Sequence, residues 1–343
     1  MALSTAISRR SLLRMGGGAL AAAAVSPKLG GLAFAAGRDS RIRIVDTGHG
    51  TNPDFLRPLA ANGVQTIFRY YAQRDNIPGK NITVRERDMI FEHGLSIAIV
   101  YQHEARRPGR FTTATGIEDA NFCLGRAAEI GQPYGTAIFF AIDSDAHTTN
   151  EVLAYLASVN EVFAGRYTVG CYGAGGHCAA AVATGVAMMS WIAEAPAWAG
   201  TRAFINSGGW HLYQNKTQIE DSPIMSAGRV PIDTNILNPR FDTIGAFDRY
   251  GQRVVYDPAD VQYAYDRRRF VAATTLNLRN RPGGDAIGNL CIARTVHVVD
   301  MRGDWAEVDI NEDGRGDGFV AAEYLRPLNQ MPAYVSGCQL MSV

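Results

Sequence analysis

The sequence predicts an α/β protein, a (β/α)8 TIM-type barrel followed by a small all-β module. Three observations predict it. Eight short runs, nearly continuous in apolar or β-branched residues, recur between residues 42 and 236, as expected for parallel strands covered by helices. The intervals between them carry helix-start and helix-stop signals. After about residue 270 the texture changes to short alternating runs separated by Gly and Asp turns.

The first 36 residues read as an address rather than structure. Ser8-Arg9-Arg10-Ser11-Leu12-Leu13 is a twin-arginine (Tat) signal, followed by a weakly apolar run from Met15 to Val25 and a small-residue cleavage site at Ala33-Phe34-Ala35. The apolar run is too short to span a bilayer, and no later segment is long enough. No Cys precedes Cys123, which argues against a lipid anchor at the signal. The expected location is therefore the periplasm, cell wall or extracellular space.

The expected strands are Ile42–Gly48, Thr66–Ala72, Ser96–Gln102, Ala137–Asp143, Thr168–Gly173, Met189–Glu194, Trp210–Asn215 and Val230–Ile236. Three intervals open on a hydroxyl residue with Glu three positions later: Thr83/Glu86, Thr115/Glu118 and Thr148/Glu151. Each is a capping box that satisfies orphan N–H groups at a helix start. Gly94 and Gly131 follow helical stretches as stops. Eight such units across residues 40–248 fit the arithmetic of a (β/α)8 barrel. A doubly wound open sheet is the rival, but no Gly-rich dinucleotide fingerprint follows the first strand.

Residues 249–269 read as a linker, with Pro258, scattered charge and no clear period. Residues 270–328 form the all-β module, with strands expected at Leu276–Arg279, Cys291–Asp300, Trp305–Ile310 and Gly318–Val320. Residues 329–343 are a tail without a clear assignment.

The chain has 343 residues, 47% of them hydrophobic and 19% charged, enough for an ordinary core. Basic and acidic residues are balanced at 33 each; the first 36 residues hold four of the basic ones and no acid, leaving the rest net acidic. That balance argues against a nucleic-acid binder, which normally carries a basic surplus. The five cysteines show no ligand spacing. Most are expected as buried apolar residues, although Cys171 and Cys178 lie close enough in sequence to pair after export.

Strands that stop on carboxylates place charge at the edge of a core. The expected ring at the barrel mouth holds Asp46, Asp143, Asp145 and Asp233 as acids, and Arg69, Tyr71, Gln102, Tyr172, Trp191, Glu194, Gln214 and Asn235 as binding groups. Residues i and i+2 of a strand share a face, so Asp143 and Asp145 are expected to point together. Aromatic faces stack on sugar rings, and amides and carboxylates bond hydroxyls, so the set reads as a carbohydrate cleft. Arg69 also fits a structural ion pair with the acids, and a single strand-end Asp also fits a turn or cap. His49, His103 and His147 lack partners in sequence, so no metal is expected, and no cofactor motif is present.

The ordered series Val45-Asp46, Phe140-Ala141-Ile142-Asp143-Ser144-Asp145, Cys171-Tyr172, Trp191-Ile192-Ala193, Tyr213-Gln214 and Ile232-Asp233-Thr234-Asn235 is similar to family-25 glycoside hydrolases, the lysozymes of bacterial and phage origin. It resembles more closely a glycoside-hydrolase-like family of unknown function found in Tat-exported bacterial proteins. The resemblance covers roughly residues 40–248 and implies action on the β-1,4 bond of peptidoglycan or a related cell-envelope polysaccharide. It implies Asp145 as general acid, Asp143 assisting an N-acetyl nucleophile, and Asp46 and Asp233 shaping the cleft. Those lysozymes carry Glu where this chain has Asp145. The shorter side chain sets the proton back by about 1 Å, a displacement that can cost about 100-fold. Glu104 and Glu194 are alternative acids, and a barrel that binds glycan without cutting it is the alternative function.

The C-terminal module resembles a bacterial SH3 domain in Leu276-Asn277-Leu278-Arg279-Asn280-Arg281-Pro282, Gly303-Asp304-Trp305, Asp317-Gly318-Phe319-Val320 and Glu323-Tyr324-Leu325. The resemblance implies wall-peptide binding. Asp309-Ile310-Asn311-Glu312-Asp313-Gly314 matches the start of a calcium loop, but the twelfth position is Val320 rather than Glu. A charged hairpin turn is the expected structure there.

Overall fold

A computed structural model describes residues 43–74, 77–219, 230–312 and 315–334, with backbone alone for 217–219. The signal, the tail beyond Tyr334, and Asp313-Gly314 of the calcium-like loop lie outside the described residues. Residues from Gly37 onward form one compact unit.

Eight strands close into a barrel. They are β1 (Arg43–Asp46), β2 (Val64–Tyr71), β3 (Ser96–Tyr101), β4 (Ala137–Ile142), β5 (Thr168–Gly173), β6 (Met189–Ile192), β7 (Leu212–Ile219) and β8 (Ile232–Leu237). Helices α1 (Pro53–Ala61), α2 (Val84–Glu92), α3 (Thr113–Ile130), α4 (Thr149–Phe163), α5 (Gly175–Ala183) and α6 (Thr201–Ser207) come after the first six strands in turn.

The caps explain where helices start. Thr83 and Thr148 accept the N–H of Glu86 and Glu151, and Glu151 completes its box. The box expected at Thr115 begins three residues earlier: Thr112 is the cap and Thr115 its partner. Each such cap stabilises its helix by about 1 kcal/mol.

Strands β1 to β7 are parallel, but β8 runs antiparallel to both β7 and β1. This departs from the all-parallel expectation, because an apolar run reads alike in either direction. Reversal places the start of β8 at the mouth, where Asp46 and Asp233 are register partners. Its far end delivers the chain to the barrel floor. There Phe247 pairs with Ile97, Gly245 accepts the N–H of Ala137, and Tyr256 bonds Thr66. Ile244, Ala246 and Tyr256 are buried beneath the ring, while Phe247 packs on Phe91 of α2 in the outer layer.

Two hydrophobic layers arise from strand alternation. Inside the ring, Phe68 stacks on Trp191 with centroids 4.2 Å apart, and Phe139 meets both rings edge-on. Gly170 makes room for them, because a Cβ there would lie 2.4 Å from the Phe139 ring. Outside the ring, Tyr71, Ile97, Phe140, Tyr155 and Phe163 pack between strands and helices.

The expected linker is largely ordered. Asp257 caps α7 (Pro258–Asp266), and Arg268 opens β9 (Arg268–Val271). Strands β10 (Thr275–Arg279), β11 (Ala286–Cys291), β12 (Thr295–Arg302), β13 (Trp305–Asp309), β14 (Gly318–Ala321) and β15 (Leu325–Pro327) join β9 in an antiparallel sheet ordered β11-β10-β14-β13-β12-β9-β15. Cys171 and Cys178 are free and buried, with Sγ atoms 3.9 Å apart, while Cys291 is disulfide-bonded.

Candidate functional site

The barrel mouth opens into a cleft of about 880 Å³. That is ample for one or more sugar rings. Of the ring expected from the sequence, Asp46, Gln102, Asp143, Tyr172, Trp191, Glu194, Gln214 and Asp233 line it, and Arg69, Tyr71, Asp145 and Asn235 do not.

Asp46 is the hub, only 1% exposed. Its carboxylate accepts from Asn235 Nδ2 at 2.9 Å, Gln214 Nε2 at 3.2 Å and Tyr70 Oη at 3.4 Å. Gln214 Nε2 also donates to Asp233 at 3.0 Å, so one amide joins the two acids. Both amides have their orientation dictated from behind. Trp191 Nε1 donates to Asn235 Oδ1 at 2.7 Å, and an indole N–H can only donate. That contact turns Nδ2 of Asn235 toward Asp46. Tyr172 Oη donates to Gln214 Oε1 at 2.9 Å, which turns Nε2 of Gln214 toward the acids. Burial pushes Asp46 from 3.8 up to about 6, with Asn235, Gln214 and Tyr70 pulling the other way. Desolvation wins, and Asp46 exchanges its proton near neutral pH.

Asp143 enters from β4 and is held by Arg106, whose Nε and Nη2 lie 2.8 and 2.7 Å from Oδ2. Burial raises its midpoint, and Arg106 and then Lys80 oppose that rise. Arg106 rides on the loop after β3, which is anchored below by Arg110 and Asp119 at 2.7 Å. Tyr101 and Tyr155 also donate to Asp119, so this buried carboxylate is fully partnered.

Asp145 is not in the cleft lining. Strand β4 stops at Ile142, so the two-residue alternation does not reach Asp145. It is exposed and accepts the N–H of Ala199 at 3.4 Å. That bond ties it to the loop after β6 that carries Trp198.

Arg69 and Tyr71 also fall outside the lining, because they face outward from β2. Arg69 is fully buried, pairs with Glu86 at 2.8 Å and donates to the carbonyls of Thr47 and Gly79. It pins two mouth loops from behind, as the structural ion-pair reading allowed, but its partner is Glu86 rather than a cleft acid. Tyr71 donates to Gln132 among the outer helices. Trp191 is 1% exposed and stacked on Phe68, so it forms the floor and orients Asn235. Asn235 stands behind Asp46.

Among the lining residues outside the expected set, Tyr70, Lys80, Arg106 and Trp198 bear on the site's chemistry. Tyr70 is one position from the residue chosen, an error of strand phase. Lys80 donates to Gln102 Oε1 at 2.8 Å and sits 5.2 Å from the centre of the Tyr70 ring. Arg106 and Trp198 come from loops, where no periodicity marks them. Glu104, an alternative acid, lines the mouth with a positive φ of 47° and pairs with Arg107 at 3.0 Å. Glu194, the other alternative acid, pairs with Arg294 of the all-β sheet at 3.2 Å. Among the described residues, no group of three or more His, Cys, Asp or Glu is placed to hold a metal ion.

The chain is 24% identical over 265 residues to the protein FadG of Bacillus subtilis (strain 168), covering 73% of this chain and 44% of that one. It is 26% identical over 151 residues to YbfG of the same organism, covering 40% of this chain and 21% of that one. The chain therefore spans less than half the length of these curated relatives. Among solved structures, it resembles the Mycobacterium tuberculosis Tat-secreted protein Rv2525c in complex with L-tartrate. That match has 22% identity and a TM-score of 0.49, covering 60% of this chain and 98% of the other. The family described as Rv2525c-like, glycoside hydrolase-like domain matches residues 57–237. This is more than half of the sequence, and the chain belongs to that family.

Proposed function

We propose that this protein is exported and acts on a cell-envelope glycan, with peptidoglycan the first candidate, as a glycoside hydrolase of lysozyme type. The observation that carries the reading is a pair of carboxyl groups in one aromatic- and amide-lined cleft, held in different protonation environments. Asp46 is desolvated and titrates at about 6, while Asp143 is raised by burial but held against a guanidinium. Two carboxyl groups in one cleft, one desolvated among neutral donors and the other paired with a guanidinium, suit acid and base roles on a glycosidic bond. In this reading Asp143 is the group nearest solvent and substrate. Asp46 and Asp233 share the Gln214 amide and stabilise charge beneath the sugar. The twin-arginine signal supports export, the series of strand-end motifs supports the relation to family-25 lysozymes, and the all-β sheet serves as a bacterial SH3-type module.

Two observations favour a second reading, binding without cleavage. Asp145 lies outside the lining, and Arg106 holds the Asp143 proton acceptor in an ion pair. One experiment separates the two. Mature protein is incubated with peptidoglycan, and reducing ends and bound glycan are both measured for wild type, Asp143→Asn, Asp46→Asn and Asp145→Asn. Hydrolysis abolished by Asp143→Asn and retained by Asp145→Asn supports the enzyme. Retention of glycan with no reducing ends from any form supports the binder, and neither signal removes both readings.

A further inference from the structure

The all-β sheet does more than trail the barrel; it grips the strand that carries Gln214. Residues Gln214 and Lys216 of β7 pair with the consecutive residues Asn235 and Thr234 of β8, so Asn215 is an extra residue in the ladder. Such a bulge reverses the facing of the residues beyond it and re-aims side chains next to a site. Before the bulge, Gln214 points into the cleft. After it, Lys216 points out of the barrel and donates to the carbonyl of Ile310. Were the ladder regular through Asn215, alternation would turn Lys216 back to the face that Gln214 occupies.

The bulge is clasped from outside. Glu312 Oε1 accepts from Asn215 Nδ2 at 2.7 Å, and Thr295 Oγ1 donates to the Asn215 carbonyl at 3.0 Å. Thr234 of β8 donates to Asn215 Oδ1 at 3.3 Å. Glu312 is 1% exposed, has a positive φ of 56°, and is held by Arg268 at 3.1 Å. The stretch that resembled a calcium loop thus turns its Glu inward to this contact.

We propose that Glu312 and Thr295 are positioning residues of the barrel site, acting through the Asn215 bulge to set the Gln214 amide between Asp46 and Asp233. The inference rests on the reading of that cleft as the functional site, but its test does not require glycan turnover. The groups facing Asp46 are Tyr70 on β2, Gln214 on β7, and Asp233 and Asn235 on β8, with Asp143 across the cleft. Loss of the Gln214 donor leaves the carboxylate less stabilised, so its midpoint rises.

Carbon-13 NMR titration of Asp46 in the full mature chain reads this directly. Glu312→Ala removes the acceptor but also strands two buried cations, so Thr295→Val serves as the milder variant and Glu312→Gln as the rescue that keeps an acceptor. The expected result is an Asp46 midpoint raised by roughly half a unit or more in Thr295→Val, and in Glu312→Ala if it folds, with a near wild-type value in Glu312→Gln. An unmoved or lowered midpoint in folded Thr295→Val would overturn the proposal, since a merely structural clasp lowers thermal stability without touching Asp46. If hydrolysis and binding both fail in wild type while the midpoints move as stated, the functional reading falls and the positioning role stands.

Discussion

Asp46 and Asp233 stand opposite each other across the β1–β8 seam and share the single Gln214 amide, although β8 runs against every other strand of the ring. Burying the Asp46 carboxylate is costly in the native state, because desolvation outweighs the donors from Asn235, Gln214 and Tyr70. Asp46 titrates at about 6 against 3.8 for a free side chain. The folded form holds this proton more tightly, so the contribution is complete below 3.8 and lost as pH rises through about 6. Asp46→Asn removes the titration and is expected to stabilise the protein increasingly between pH 4.5 and 7.5, by up to about 3 kcal/mol. Urea melts at both pH values check it, and a difference that does not change with pH would sink it.

His211 works in the opposite direction. It is buried against Phe241, and burial lowers its midpoint from 6.5 to about 4. The unfolded chain takes up this proton first, so stability is lost as pH falls from 6.5 toward 4. His211→Gln is expected to flatten that part of the pH–stability curve by about 2 to 3 kcal/mol, read from denaturant midpoints across the window. An unchanged slope counts against the assignment.

Trp191→Phe keeps the stacked ring but deletes the N–H that compels Asn235 to face Asp46 with its own donor. The indole bond itself is worth about 1 kcal/mol. The expected outcome is a folded protein whose Asp46 midpoint has moved upward and whose glycan affinity has fallen severalfold. Equal affinity and an unmoved midpoint would show that Asn235 is oriented by other means.

Trp198 is the half-buried indole of the cleft wall, unlike Trp191, whose face is already covered. Trp198→Ala is expected to weaken glycan retention about tenfold or more, since aromatic stacking contributes on the order of 1 to 2 kcal/mol. Isothermal titration with soluble glycan fragments checks it. Wild-type affinity would mean the sugar lies elsewhere in the mouth.

Gly170→Ala tests the packed ring below the cleft. The added methyl meets Phe139 at 2.4 Å inside a closed strand layer. Overpacking of this kind costs about 1 to 3 kcal/mol, to be read as a lower urea midpoint with an unchanged m-value. A neutral substitution would mean that Phe139 has room to move.

Much of this architecture is legible in the chain itself. Strands β1 to β6 announce themselves through apolar runs, α2 to α4 through hydroxyl caps, and Asp46 and Asp143 stand where their runs stop. The features that escape have identifiable causes. A run such as Thr66–Ala72 is apolar at nearly every position, so it fixes a strand but not its phase. Arg69 and Tyr71 are expected where Tyr70 stands. The direction of β8 is invisible for the same reason, and Asp233 reaches the mouth only because that strand is reversed. The expectation for Asp145 extends an alternation beyond the last paired residue of β4. The Asn215 bulge leaves no trace in the sequence, because the groups that clasp it, Thr295 and Glu312, lie 80 and 97 residues away.

Among the described residues, Ile244, Ala246 and Tyr256 close the end of the barrel opposite the acids. On the proposed reading, a polysaccharide strand cannot thread a barrel closed at that end. It has to drape across the opening, offering one or a few residues to the acids while its ends run off on either side, so chain length beyond that footprint should leave affinity unchanged.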